Sequence, residues 1–79
     1  MKLSVYSLKQ ILFQGDAELL NCKTVMGEIT VLDNHETLIT VLSAGVVKVV
    51  SARKEHFFEI NSGFLEVKPN NEVRVLAQN

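Results

Sequence analysis

Apolar and polar residues alternate along most of this chain with a period of two. Val73 and Val75 alternate with Glu72 and Arg74, Leu65 and Val67 with Glu66 and Lys68, Leu3 and Val5 with Ser4 and Tyr6. Such alternation sends one set of side chains to a buried face of a pleated strand and the other to a wet face. Val and Ile are abundant, and their branched side chains suit that surface. Turn chemistry separates the runs: Gly15, Gly27, Gly45 and Gly63 punctuate them, with Asp33-Asn34, Arg53-Lys54-Glu55 and Pro69-Asn70-Asn71 between. The pattern predicts strands at roughly 3–7, 11–13, 17–24, 28–32, 37–43, 46–52, 56–62, 64–68 and 72–77, and no helical stripe. Strands at this spacing predict an all-β fold, a small two-sheet β-sandwich of about eight to ten short strands.

Two runs break the alternation. Val46-Val47-Lys48-Val49-Val50 and His56-Phe57-Phe58-Glu59-Ile60 carry apolar residues at successive positions. One face fills the core, and the other is either buried inside the sandwich or left as a docking surface.

Composition narrows the picture. The 79 residues make one domain, 1–79, with 47% hydrophobic and 22% charged residues. Net stability for a domain this small is on the order of 5 kcal/mol. Eight basic and nine acidic residues give a net charge of -1, the wrong balance for nucleic-acid binding. The single cysteine, Cys22, has no internal disulfide partner, which points to a reducing compartment. No apolar run approaches the ~20 residues a membrane-spanning helix needs, so membrane association is expected only through a partner.

Candidate chemistry is sparse. Asp33, His35 and Glu36 share one turn, but no second cluster completes a metal site. Cys22 sits mid-strand between Asn21 and Lys23, without a nucleophile turn, and reads as a small buried hydrophobe. The glycines form neither GxGxxG nor a P-loop. Lys48 lies mid-strand between Val47 and Val49, unlike the hairpin-tip lysine of a lipoate or biotin carrier. One Tyr, four Phe and no Trp, with little positive charge around them, do not make a single-stranded nucleic-acid surface. No catalytic, cofactor or metal residue is therefore predicted.

With the chemistry empty, the order of the segments carries the reading. Leu3-Ser4-Val5-Tyr6-Ser7, Leu12-Phe13-Gln14-Gly15-Asp16, Gly27-Glu28-Ile29, the turn ending at His35, Leu38 through Gly45, Asn61 through Pro69 and Val73-Arg74-Val75-Leu76-Ala77 follow one another at set spacings. In this order the chain resembles the N-terminal domain of the epsilon subunit of F-type ATP synthases, over essentially its whole length. It departs from that pattern at Thr30, where the family has Gly, at Asp33-Asn34, where it has Pro-Gly, and at Ala44, where it has Pro. Asn tolerates the left-handed conformation such a turn needs.

The resemblance implies a non-catalytic rotor subunit, docking on the gamma subunit and the c-ring so that proton-driven rotation reaches the catalytic head. It implies Glu28 as a partner for a basic residue of the c-ring, and His35 and Thr40 near gamma. It implies a monomer in isolation, held peripherally through the complex on the cytoplasmic face of the bacterial inner membrane. Family members continue into a C-terminal helical hairpin; this chain stops at Asn79 and is expected to be a short form or an isolated domain, without a nucleotide site. A stand-alone β-sandwich adaptor is the competing expectation.

Overall fold

Each alternating run forms a strand. In the computed structural model, which describes residues 1–78, these are β1 (Lys2–Ser7), β2 (Ile11–Asp16), β3 (Leu19–Thr24), β4 (Gly27–Val31), β5 (Leu38–Leu42), β6 (Gly45–Ser51), β7 (Lys54–Ile60), β8 (Ser62–Lys68) and β9 (Glu72–Gln78). Asn79, the last residue of the expected domain, lies outside the described residues.

Hydrogen bonding runs in the order β2-β1-β9-β8-β5-β3-β6-β7, with β4 on the other side of β3. The ladder has a weak joint: β5 meets β3 through the single pair Thr24–Leu42. That joint divides the strands into a β2-β1-β9-β8-β5 half and a β4-β3-β6-β7 half, and both halves supply one core. At the far side β2 and β7, the ends of that order, approach through the Phe13 and His56 rings, 5.4 Å apart, so the sandwich is nearly a closed barrel. Near-closure shields edges that would otherwise pair with other chains.

The alternation orients every layer. Leu3 and Val5 of β1, Leu20 and Cys22 of β3, Val47 and Val49 of β6, Leu65 of β8 and Val75 and Ala77 of β9 are fully or almost fully buried. β1 lies parallel to β9, with Leu3 opposite Val73 and Val5 opposite Val75. Gly63 is buried where β8 passes closest to β9: a Cβ there would stand 2.3 Å from the Leu76 carbonyl oxygen.

Every strand shifts at one end or both by one to three residues from the sequence reading, β7 to 54–60 and the start of β8 to 62 among them, and two of the shifts have a plain cause. β2 runs on to Asp16, because Gly15 and Asp16 continue the ladder opposite Leu3 and Lys2. β3 starts at Leu19 rather than at 17, because Ala17 and Glu18 form the corner where the chain changes halves. There the Ala17 N–H donates to Met1 O and the Glu18 N–H to Val50 O, bonds to two different halves.

Candidate functional site

The β3–β4 hairpin closes on two residues. Thr24 Oγ1 donates to Gly27 O at 2.7 Å and accepts from the Met26 N–H at 3.0 Å. Gly27 takes φ +122, a conformation that side-chain-bearing residues rarely adopt. This leaves Val25 and Met26 at the tip, 61% and 89% exposed. Glu28 follows at the start of β4, exposed, its Oε2 accepting from Asn21 Nδ2 at 3.1 Å. Asn21 also donates to Thr30 Oγ1 at 2.9 Å, so Thr30 helps hold Asn21 beside Glu28.

His35 lies in the β4–β5 connection, half-buried. Its Nδ1 is 2.8 Å from Glu36 O. A carbonyl can only accept, so Nδ1 carries the proton and a neutral ring keeps Nε2 as its acceptor. Thr40 sits on β5 opposite Leu65, on the same side as the buried Leu42, and is half-buried. β5 touches β3 only at Leu42, so the backbone through Thr40 has one ladder neighbour, β8. No hydrogen bond or ion pair among the described residues joins Glu28, His35 and Thr40: they occupy a hairpin, a connection and a strand edge. The geometry offers contact points and not a converging reactive centre.

The runs that broke alternation resolve in the β6–β7 hairpin. Val47 and Val49 are buried and Phe58 packs against the core, while Val46 and Phe57 are exposed. The outward residues are interrupted by charge, with Lys48 Nζ 2.9 Å from Glu55 Oε2. The longer apolar surface lies on the other half. Register aligns Ile11, Tyr6, Leu76, Phe64 and Val41 in one outward row across five strands. The next row carries Arg74, 3.3 Å from both Tyr6 OH and Glu66 Oε1. Each member of the apolar row is one residue in a different strand, so no local run announced it; the only trace was an apolar residue at an outward position of each run. The Val25 N–H donates to Val41 O at 3.1 Å, which brings the hairpin tip to one end of this row.

Cys22 is fully buried, and desolvation pushes its thiol up to about 11. A thiol held protonated in this way is a packing group. Among the described residues no cluster of three or more His, Cys, Asp or Glu could hold a metal ion. A surface hollow of about 300 Å³ on the five-stranded half is lined by Lys2, Ser4, Tyr6, Lys68, Glu72 and Arg74, with no nucleophile–base pair among them. Among the described residues no helix is long and apolar enough to cross a membrane.

A nearly closed all-β core with an exposed apolar row and no reactive cluster among the described residues defines a small all-β domain. The chain belongs to the family of ATP synthase delta/epsilon chain β-sandwich domains, whose model matches residues 1–79. It is 40% identical over 77 residues to the ATP synthase epsilon chain of Hydrogenovibrio crunogenus, covering 98% of this chain and 53% of that one. It is 35% identical over 78 residues to the ATP synthase epsilon chain of Shouchella clausii, covering 99% and 58%. This chain thus spans little more than half the length of these relatives. The fold is shared with a chain of the Euglena gracilis mitochondrial ATP synthase in its OSCP/F1/c-ring structure, at TM-score 0.92 and 21% identity, covering 100% of this chain and 51% of that one. It is shared too with a chain of the Tetrahymena thermophila mitochondrial ATP synthase central stalk/c-ring, at TM-score 0.85 and 13% identity, covering 100% and 63%.

Proposed function

We infer that this chain is a non-catalytic subunit of the central stalk of an F-type ATP synthase. It docks on the gamma subunit and on the c-ring, and so couples proton-driven rotation to ATP synthesis. The observation that carries the reading is the family match over residues 1–79. The exposed hairpin of Val25, Met26 and Glu28 supports it, because a hairpin ending in bulky apolar side chains beside a carboxylate is suited to a protein surface. In this assignment Glu28 meets a basic residue of the ring, and His35 and Thr40 lie against gamma. The domain sits at the cytoplasmic face of the bacterial inner membrane and is held there by its partners. Stiffness is what a torque-bearing part requires, and a close-packed, nearly closed sandwich resists deformation.

Glu28 on the rim is worth about 0.2–1 kcal/mol as an ion pair, so it orients the domain more than it holds it. Tagged chain expressed with an ATP synthase is expected to recover gamma and the c-ring. Recovery of a soluble protein and neither of those overturns the assignment. Glu28→Lys should weaken ring attachment and lower proton-coupled ATP synthesis in reconstituted vesicles, with the domain still folded. Unchanged synthesis would remove Glu28 from the contact.

A further inference from the structure

The connection that carries His35 has few backbone bonds of its own. Between the end of β4 and the start of β5, the turn bond is the His35 N–H donating to Leu32 O at 3.2 Å. Two side-chain restraints come from residues distant in sequence: the α-ammonium of Met1 donates to Asp33 Oδ1, and Asn71 holds both Asp33 and Asn34. Asn71 Oδ1 accepts from the Asn34 N–H at 2.8 Å, and Asn71 Nδ2 donates to Asp33 Oδ1 at 3.1 Å. Asn71 is itself anchored, since its carbonyl accepts the Lys2 N–H at 2.9 Å. Asn34 and Asn71 both take the left-handed conformation, at φ 62 and 60.

We propose that Asn71 is the positioning residue for His35: its side-chain amide clamps Asp33 and Asn34, the two residues before it, and so sets where the imidazole is presented. The inference rests on the assignment of His35 as a partner contact. The chemistry is specific to an amide. A carboxamide offers an acceptor and a donor side by side, and here the acceptor takes a backbone N–H while the donor takes a carboxylate on the preceding residue. Asp at 71 would keep the first bond and replace the second with repulsion from Asp33. Ser would not span both.

Asn71→Gly tests the idea cleanly, because glycine accepts a left-handed φ and removes the clamp without straining the turn. The variant is expected to remain folded, with Tm lower by roughly 5–15 °C for the two bonds lost. Its Asn34 amide should exchange with solvent at least tenfold faster, as an amide that has lost its acceptor does. Binding of the full chain to a gamma–c-ring subcomplex lacking its own epsilon-type subunit should weaken by roughly fivefold, since the loop must then be ordered on binding. In a His35→Ala background the same substitution should have no further effect. If His35→Ala weakens binding and Asn71→Gly does not, the clamp is overturned and the docking assignment stands. If Asn71→Gly weakens binding equally with and without His35, Asn71 acts by another route and the positioning role is overturned. If neither substitution changes binding, the contact at His35 is itself wrong and the clamp falls with it.

Discussion

Gly63→Ala should be the most damaging small substitution in this domain. Gly63 lies inside β8, opposite Leu42 of β5 on one side and Ala77 of β9 on the other. An added Cβ would stand 2.3 Å from Leu76 O, 3.2 Å from Ala77 Cα and 3.3 Å from Leu76 C. A relaxed carbon–oxygen contact is about 3.3 Å or more, so the overlap with the carbonyl is roughly 1 Å. All three opposing atoms are backbone, so no rotamer change relieves them. β9 must move away from β8, and β9 is also the strand that holds β1 in parallel register. Overpacking of this kind costs about 1–3 kcal/mol, and weakening one or two ladder bonds adds about 1 kcal/mol, for a total near 2–4 kcal/mol. In a domain of this length that lowers Tm by roughly 10–25 °C. Thermal unfolding followed by far-ultraviolet circular dichroism measures it, and hydrogen exchange at the Val75 and Ala77 amides locates it. Gly27→Ala is the contrast: nothing lies within 4 Å of its Cβ, so its cost is the strain of φ +122 and β9 exchange should not change. A Gly63→Ala chain melting within about 2 °C of the parent would refute the close approach of β8 and β9.

Four further outcomes follow from the same structure. Ala52 and Arg53 form the β6–β7 turn at φ 52 and 63, so Ala52→Asn with Arg53→Gly should raise stability by about 1–2 kcal/mol in urea unfolding. Glu18→Ala should lower stability by about 1–2 kcal/mol in the same assay, because the Glu18 carboxylate accepts the Ala52 and Arg53 N–H groups at 3.1 and 3.3 Å. Asp33 is held below its ordinary value of 3.8, first by the hydrogen bond from the α-ammonium of Met1, then by that from Asn71, then by the charge of the same ammonium. A folded value below the unfolded one stabilises the domain above pH 3.8, and the contribution disappears as pH falls through the folded value. Asp33→Asn should therefore flatten the acid limb of a stability–pH curve below about pH 4; a parallel acid limb would count against the pairing. Cys22, with its thiol near 11, should react with an aromatic disulfide reagent only as fast as the domain opens. At pH 8 the folded thiolate fraction is about one in a thousand, so rapid native-state labelling would contradict the burial.

How far the residues speak for themselves differs from element to element. β8 and β9 were legible because Leu65, Val67, Val73 and Val75 alternate strictly with Glu66, Lys68, Glu72 and Arg74, and a pleated strand has no other way to sort them. The Cys22 reading held because a lone cysteine between strand residues has little chemistry open to it except packing. β2 was read three residues short because Gln14-Gly15-Asp16 looks like a turn. Its place in the ladder comes from β1 alongside it, where Gly15 opposes Leu3. The doubly apolar runs left open whether the second face of the β6–β7 hairpin is buried or a surface, whereas an outward apolar row formed on the opposite half from one residue per strand.

Local periodicity by itself determined that this chain is all-β and which residues of the strictly alternating runs enter its core. The segment order also placed the chain in its family. The tertiary structure alone decided which strands are neighbours, hence the row from Ile11 to Val41, the close passage of Gly63 under β9 and the grip of Asn71 on the loop of His35. The physical reason is range. Alternation is enforced by neighbouring peptide units a few ångströms apart and is written in adjacent residues. Register, crossings and side-chain clamps join positions tens of residues apart, and they exist only once burial of the common core has brought those positions together.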